Sequence, residues 1–275
     1  MVPEIDGRTG IFVQLAHPIG HIRTPQMLNQ AFVDRGIRMV ALAIDVLPED
    51  LETVVAGLRG WRNLVGIGVT MPYKGRMLGL VDEATEAAQE IGAINIARRE
   101  PDGRIIGNNG DGQGFVDGLR KVTMDPAGRS VMLVGIGGAG RAIAFGLCHA
   151  GVRRLALVNR TPAAAHTLAG ELTARFEGLD VTVGDVPDPT GYDLVINATP
   201  LGMQQNQPVP VLVDRLDPAT TVADIIMVPS VTPLIQAAEA RGCTVHPGRP
   251  MMEAQMEIFM DFLRLEALYG ASADA

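Results

Sequence analysis

Short apolar runs alternate with longer amphipathic stretches at the beginning of the chain. The runs at residues 10–16, 39–46 and 64–69 predict buried strands. The pattern places Thr24 as the N-cap and Pro25 at the first helical position of a helix between the first two strands. Pro48, Glu49 and Asp50 predict a second helix start, with acids in the first turn. Strands that alternate with helices at this spacing predict parallel β-α-β units.

The chain between residues 74 and 114 has a less regular pattern. Residues 74–91 predict one helix. Two short strands, at residues 94–99 and 104–106, flank Pro101-Asp102-Gly103, and an Asp-Gly pair is typical of a hairpin turn. Residues 107–114 (GNNGDGQG) are rich in Gly and Asn, which predicts a loop or crossover.

A second alternating series begins at Val131. Strands are predicted at residues 131–135, 155–158, 181–183, 194–197 and 222–226, and helices at 138–150, 162–176, 232–241 and 251–269. The break between the two series falls near residues 110–128, where Pro126 and Gly128 interrupt the pattern. The pattern therefore predicts an α/β protein built in two parts.

Composition narrows the class of protein. The 275 residues are 47% hydrophobic and 20% charged, which allows a sizeable core, and the net charge of −8 with few aromatics argues against nucleic acid or an anionic membrane as partner. Cys148 and Cys243 have no Cys-x-x-Cys spacing, so neither a disulfide scaffold nor a zinc site is expected. Residues 1–10 lack the pattern of a signal peptide, and no apolar run approaches the roughly 18 residues of a membrane span. We expect a cytoplasmic protein.

The segment Gly135-Ile136-Gly137-Gly138-Ala139-Gly140 has the spacing G-x-G-x-x-G between a predicted strand and a predicted helix. In that context the first Gly permits a tight turn, the second lets backbone approach a pyrophosphate, and the third allows close contact of helix and strand. The helix N-terminus also favours phosphate. The pattern favours dinucleotide binding over a glycine turn without ligand.

The end of the next predicted strand indicates which dinucleotide. NAD usually requires an acid there, about 20 residues after the glycines, to bind the ribose 2′-hydroxyl. This chain has Asn159-Arg160-Thr161 and no acid. An Arg would instead pair with a 2′-phosphate, unless it is only a solvated strand-end residue. NADP is therefore favoured over NAD.

Several segments, taken in order, resemble shikimate dehydrogenases. They are Pro18-Ile19-Gly20-His21, Val69-Thr70-Met71-Pro72-Tyr73-Lys74, Gly92-Ala93-Ile94-Asn95, Asn109-Gly110-Asp111-Gly112, the glycine turn, Asn159-Arg160-Thr161, Asn197-Ala198-Thr199-Pro200-Leu201-Gly202-Met203 and residues 251–255. The resemblance covers almost the whole chain. It implies an N-terminal α/β substrate domain, a Rossmann dinucleotide-binding domain and a C-terminal helix that returns to the substrate domain. The domains would span residues 1–110 with 247–275, and 111–246.

The resemblance also implies the residues of the site. Lys74 and Asp111 match the catalytic acid–base pair, and Thr24, Thr70, Asn95 and Gln255 match residues that bind a small cyclic carboxylate substrate. The residues expected to contact NADP are Gly135, Gly137, Gly138, Ala139, Gly140, Asn159, Arg160, Thr161, Thr199, Met227 and Gly248. No metal is expected, and the chain would be a monomer or homodimer. A Lys can exchange the hydroxyl proton if burial and a nearby cationic cofactor ring bring its pKa towards working pH.

Five positions depart from the family pattern, most of them near the expected substrate. Ile22 stands where a Ser usually binds the substrate carboxylate, and Gly68, Gly110, Met227 and Ala164 replace Asn, Thr, Tyr and a basic residue. Loss of one charge-assisted hydrogen bond weakens binding by about 1.5–3 kcal/mol. The expected substrate is shikimate, quinate, an amino analogue or another cyclic hydroxy acid.

Two alternatives stay open on the sequence alone. One is another NADP enzyme of the same architecture, such as a folate one-carbon dehydrogenase, although Asn95, Asp111 and Gln255 speak against it. The other is a non-catalytic NADP-binding or regulatory protein whose site has decayed. Retention of Lys74 and Asp111 argues against decay.

Overall fold

The computed structural model describes residues 5–20, 22–204 and 206–265. The chain forms two compact units, Met1–Gly110 with Met256–Ala275, and Asp111–Gln255. The motif residue His21 and the part of the predicted last helix beyond residue 265 lie outside the described residues.

The first unit contains a six-stranded mixed sheet. Its strands are β1 (Gly10–Ala16), β2 (Met39–Asp45), β3 (Leu64–Val69), β4 (Glu83–Ala84), β5 (Ile96–Arg99) and β6 (Ile105–Asn108). Its helices are α1 (Thr24–Asp34), α2 (Leu51–Leu58), α3 (Lys74–Met77) and α4 (Glu86–Ile91), with a 3₁₀ turn at Pro48–Asp50. The strand order is β2-β1-β3-β5-β6-β4, in which β1, β2 and β3 are parallel and β5 runs antiparallel to both β3 and β6.

The second unit contains a six-stranded parallel sheet. Its elements are α5 (Asp111–Val122), β7 (Ser130–Val134), α6 (Gly138–His149), β8 (Arg154–Val158), α7 (Pro162–Arg175), β9 (Asp180–Gly184), β10 (Leu194–Asn197), β11 (Thr221–Asp224), α8 (Pro233–Ala240) and β12 (Thr244–His246), with a 3₁₀ turn at Val213–Arg215. The strand order β12-β11-β10-β7-β8-β9 is that of the Rossmann fold, with β7 central. The last helix, α9 (Arg249–Phe262), begins in this unit and ends in the first.

Side chains alternate between the two faces of the first sheet, and different segments pack on each face. Buried residues from one face of β1 and β3 form one core cluster with α2, α3 and α4; they include Val13, Leu15, Ile67, Val69, Val55, Met77 and Ala88. On the other face, Gly66 lies so close to Leu263 that a Cβ there would be 2.6 Å from Leu263 Cδ2. The chain just after α9 therefore packs directly on the backbone of β3.

Most predicted elements are confirmed, and two of the misses lie between residues 74 and 122. The single helix predicted over 74–91 is wrong, because β4 interrupts it and pairs with β6. Asp82 stabilises this arrangement: its Oδ2 accepts a hydrogen bond from Ile105 N at 2.7 Å. Strand β12 was not predicted.

The loop predicted over residues 107–114 is also wrong, because β6 continues to Asn108 and α5 begins at Asp111. The glycines that suggested a loop serve close helix packing instead. A Cβ on Gly112 would lie 2.1 Å from Ala142 O of α6, and one on Gly118 would lie 2.6 Å from Pro250 C. Because of these contacts, the first turns of α9 belong to the second unit, which ends at Gln255. The predicted domain boundary was at residue 246.

Thr24 does not act as the N-cap of α1. The helix starts at Thr24, and the cap position is held by Arg23, whose backbone is already helical (φ −117°, ψ −12°) and which makes no side-chain capping bond. Pro25 is the second residue of α1, one position later than predicted.

Three further expectations concern membranes, metals and thiols. None of the described helices is both long enough and apolar enough to cross a bilayer. Over residues 5–20, 22–204 and 206–265 there is no group of three or more His, Cys, Asp or Glu side chains able to hold a metal ion. Cys148 and Cys243 are both buried thiols.

Candidate active site

The glycine turn after β7 is shaped by its neighbours. Gly135 has φ +95°, and a Cβ there would lie 2.6 Å from Thr199 Cγ2, so only Gly fits. A Cβ on Gly140 would lie 1.9 Å from the carbonyl oxygen of Gly135. A Cβ on Gly137, the N-cap of α6, would meet nothing within 4 Å. Two glycines are thus required by packing, while Gly137 faces open space where a pyrophosphate could approach α6.

Asn159 and Arg160, at the end of β8, have different surroundings. Asn159 Oδ1 accepts from Ile136 N at 3.1 Å, and its Nδ2 donates to Thr161 O at 3.0 Å. Asn159 therefore fixes the glycine turn to the turn before α7. Arg160 is exposed and has no ion pair or hydrogen bond with any described residue. Its guanidinium is available to an anion beside the glycine turn.

A buried polar network lies at the carboxyl ends of β10 and β11. Asp224, only 1% exposed, accepts from Thr232 Oγ1 at 2.7 Å, Ile226 N at 3.1 Å and Asn197 Nδ2 at 3.2 Å. Burial raises the pKa of Asp224, and the three donors oppose that shift. Asn197 Oδ1 in turn accepts from Thr199 N at 2.9 Å and Thr199 Oγ1 at 2.6 Å. The network orders the segments that follow both strands, next to Gly135.

Sequence reasoning missed the role of Asp224. The observable pattern was a polar residue at the last position of two neighbouring parallel strands, Asn197 and Asp224, where ligands of open α/β sheets usually bind. Thr199, predicted to contact the cofactor, already donates its hydroxyl within the network.

Gly248, just before α9, lies against the segment that contains Met227. A Cβ on Gly248 would lie 2.6 Å from Ile225 O and 2.7 Å from Ile226 O, so a side chain there would push the two segments apart. Met227 itself is half-buried. Gly248 therefore lies next to the segment that contains Met227, and a cofactor contact of either residue stays a prediction.

Asp111 and Gln255 meet inside the second unit. Asp111 is the first residue of α5, and its Oδ1 accepts from Gln255 Nε2 at 2.7 Å. Both side chains are 4% exposed. The positive end of the helix dipole favours a carboxylate at this position. Two residues predicted to serve the substrate site are therefore in direct contact.

The other predicted site residues belong to the first unit. Asn95 is 3% exposed, and its Oδ1 accepts from Gly110 N at 3.0 Å, immediately before Asp111. Thr70 follows β3 directly, and its N–H donates to Leu15 O at 3.2 Å. Lys74 is half-buried at the start of α3, and Thr24 is half-buried at the start of α1. Lys74 and Asp111 lie in different units, so their pairing stays a prediction.

Comparison with known proteins places these residues in a family. The family model described as "Shikimate dehydrogenase substrate binding domain" matches residues 15–97. The chain is 40% identical over 257 residues to a shikimate dehydrogenase (NADP(+)) of Rubrobacter xylanophilus, covering 91% of this chain and 89% of the relative. A shikimate dehydrogenase (NADP(+)) of Methanopyrus kandleri is 36% identical, covering 98% and 93%. The chain belongs to the shikimate dehydrogenase family. The predicted family and fold class are confirmed.

Solved structures of similar proteins share the architecture. A shikimate dehydrogenase in complex with NADP⁺ has a TM-score of 0.88 at 32% identity, covering 94% of this chain and 91% of that one. A ligand-free 5-ketofructose reductase of Gluconobacter sp. strain CHM43 has a TM-score of 0.85 at 31% identity, covering 98% and 96%. The same fold is therefore found in enzymes named for different substrates.

Packing accounts for one departure from the shikimate dehydrogenase pattern. A Cβ on Gly110 would lie 3.0 Å from Ile258 Cγ2 of α9, so the space of the usual Thr is largely taken. Ile22 is half-buried and offers no hydrogen bond from its side chain. Nothing in the structure explains Ala164, which is exposed.

Proposed function

We propose that this chain is an NADP-dependent oxidoreductase that transfers a hydride between the nicotinamide and an alcohol carbon of a small cyclic hydroxy acid. The observation that carries the proposal is the buried contact of Asp111 with Gln255. Both side chains are 4% exposed. An apolar pair would fill this part of the core equally well, so packing alone does not explain two polar residues there. Relatives named shikimate dehydrogenase (NADP(+)) along nearly the whole chain support the reaction class.

The cofactor proposal rests on the residues around the glycine turn. The open space at Gly137 fits a pyrophosphate. The guanidinium of Arg160, which has no partner among the described residues, fits the 2′-phosphate that distinguishes NADP from NAD. NADP⁺, when bound, supplies the hydride acceptor. Asn159 contributes by holding the turn in place and need not contact the cofactor.

Lys74 is proposed to move the proton. In the oxidation direction the carbon–hydrogen bond of the alcohol breaks and its electron pair leaves as hydride, while the unprotonated Lys74 amine accepts the hydroxyl proton, so that a ketone remains. The reverse reaction returns that proton from the ammonium. Asp111 is proposed to orient the ammonium and favour its charged form.

The choice of lysine at position 74 agrees with this role. Only two of the 23 basic Lys and Arg residues are lysines, Lys74 and Lys121, and all the others are arginines. Arginine stays protonated at any working pH and cannot accept a proton, whereas a lysine can. A chain that uses arginine almost everywhere has kept a titratable amine at this position.

A keto sugar is the second candidate substrate. Ile22 has no hydroxyl, although its segment is expected to bind a carboxylate. A similar solved structure is that of a 5-ketofructose reductase, which is named for a substrate that has no carboxylate. This candidate uses the same cofactor turn and the same proton transfer. The cytoplasmic location and the monomeric or homodimeric state stay predictions.

A substrate panel tests the proposal. Shikimate and quinate are offered with NADP⁺, 5-ketofructose with NADPH, and each also with the NAD form, while nicotinamide absorbance is followed. We expect turnover of at least one compound, with NADP preferred. Tight NADP⁺ binding without turnover of any compound would contradict the proposal and favour a non-catalytic NADP-binding protein.

A further inference from the structure

Gln14 is a polar residue in the middle of the apolar strand β1. Its Cα is paired with Ala43 of β2 on one side and Gly68 of β3 on the other. The residue is 3% exposed, and no described residue hydrogen-bonds its carboxamide. Neither Oε1 nor Nε2 of Gln14 is among the fully buried side-chain atoms without a partner, so the amide keeps a small exposed area. A leucine or methionine would fill this position of an apolar strand without needing a polar partner. The fold alone gives no reason for a glutamine here.

Gly68 makes room for this carboxamide. A Cβ at position 68 would lie 2.2 Å from Gln14 Oε1 and 2.6 Å from Phe12 Cζ. Any side chain at 68 would therefore displace the amide. The absence of a side chain at Gly68 of β3 thus leaves the space that the amide of Gln14, on the neighbouring strand β1, occupies.

The carboxamide shares a sheet face with a predicted substrate residue. The alternate positions of β1 and β3, residues 13, 15, 67 and 69, lie in the core cluster on the opposite face. Gln14 and Gly68 therefore project to the other face. Thr70 continues this alternation two residues after Gly68, and its N–H bonds to Leu15 O, which keeps Thr70 beside β1.

The chemistry of a carboxamide limits what it can bind. Whichever way the amide is turned, it presents one acceptor oxygen and one donor nitrogen. A carboxylate only accepts hydrogen bonds and would leave the amide oxygen without a partner, whereas a hydroxyl both donates and accepts. A hydroxyl on a polyhydroxylated substrate satisfies both atoms.

We propose that Gln14 is a specificity-determining residue whose carboxamide binds a hydroxyl of the substrate. This rests on the proposed function, because it assigns the residue to the proposed substrate site next to Thr70. It applies equally to a cyclic hydroxy acid and to a keto sugar, since both carry hydroxyls.

The test compares three variants of the full chain, assayed with whichever panel compound the wild type turns over fastest. Gln14→Met removes the amide and keeps the volume, Gln14→Glu keeps an acceptor and adds charge, and Gln26→Met changes an exposed glutamine of α1 as the control. We expect Gln14→Met to raise KM by ~10- to 100-fold with little change in kcat, the scale of lost hydrogen bonds to a bound group. NADP⁺ affinity and melting temperature serve as checks on folding.

Gln14→Glu distinguishes a hydroxyl from a carboxylate. A glutamate still accepts from a hydroxyl, so we expect a smaller rise in KM than for Gln14→Met. A larger rise would mean that position 14 faces a substrate carboxylate and would overturn the inference. Wild-type KM in Gln14→Met would overturn the inference alone. Absence of turnover in the wild type would overturn the proposed function and this inference with it.

Discussion

Two neighbouring residues at the end of β8, Asn159 and Arg160, belong to one sequence motif but have different surroundings. Asn159 is bonded to Ile136 and to Thr161, so its amide is used within the fold. Arg160, its neighbour, is exposed and has no partner in the described part of the chain. The motif predicts a cofactor contact for both, whereas the contacts favour Arg160 as the residue that selects between dinucleotides.

Replacing Arg160 by Ala tests that selection. We expect Arg160→Ala to weaken NADP⁺ binding ~10- to 100-fold, because a charge-assisted pair with the 2′-phosphate is lost, and to leave NAD⁺ binding nearly unchanged. Titration of both cofactors gives the two dissociation constants. Arg129→Ala, exposed just before β7 at the other end of the strand from the glycine turn, is the control. An equal effect of Arg160→Ala on NADP⁺ and NAD⁺ would show that Arg160 does not bind the phosphate.

Residues that can be recognised from their immediate sequence neighbours were predicted correctly. Residues whose role depends on a contact with another strand were missed. The glycines at 135 and 140 follow from a spacing rule that reflects their own backbone. Gln14 lies in the apolar run GIFVQLA, and the sequence does not show that Gly68 of another strand lies beneath its amide. Asp224 depends in the same way on Asn197 and Thr232, from other segments.

The glycine turn and helix α6 act as one element, whose glycines have separable tasks. Gly140 lies against the carbonyl oxygen of Gly135, so its role is packing. Gly137 faces open space at the start of α6, so packing does not require a glycine there.

Two alanine substitutions separate packing from binding. We expect Gly137→Ala to leave the melting temperature within a few degrees of wild type but to weaken NADP⁺ binding at least about tenfold, since the new methyl occupies the pyrophosphate space. Gly140→Ala should lower the melting temperature clearly, because its Cβ would lie 1.9 Å from a backbone oxygen. Thermal unfolding and cofactor titration measure both. Normal NADP⁺ affinity in Gly137→Ala would contradict a cofactor at this turn.

Helix α5 shows why elements rich in glycine are hard to predict. Its sequence begins DGQG and was expected to form a loop, yet it is a helix of 12 residues. The glycines lower its intrinsic helix propensity, but they let α5 approach Ala142 and Pro250 closely, and that packing outweighs the propensity. The single helix predicted over residues 74–91 was wrong for a related reason. The pairing of β4 with β6 outweighs the helix propensity of the segment.

Over the whole molecule, a buried histidine links stability to pH. His246 of β12 is 1% exposed, and its Nδ1 is 2.7 Å from Thr123 Oγ1. Its Nε2 is buried and has no hydrogen-bond partner within residues 5–20, 22–204 and 206–265. Burial lowers the pKa of His246 to about 4. In the unfolded chain a histidine titrates near 6.5. Between these values the unfolded state binds a proton that the folded state does not, so stability falls as pH falls.

His246→Gln tests this linkage. Between pH 7 and pH 4 we expect the wild type to lose about 3 kcal/mol more unfolding free energy than the variant, which lacks the titrating ring. His166→Gln, at an exposed position on α7, should behave as the wild type. The raised pKa of Asp224 is common to all three proteins and cancels in the comparison. Denaturant unfolding at several pH values gives the result; parallel pH profiles for all three proteins would contradict the assignment.

The proposed reaction depends on proton transfer by Lys74. Turnover of Lys74→Ala tests that claim most directly, with Lys121→Ala as the control because Lys121 is the only other lysine and is exposed. We predict that kcat falls by ~10²–10⁴ in Lys74→Ala, the usual contribution of an acid–base group, while NADP⁺ affinity and the kcat of Lys121→Ala stay near wild type. A kcat in Lys74→Ala within a few-fold of the wild-type value would contradict the account.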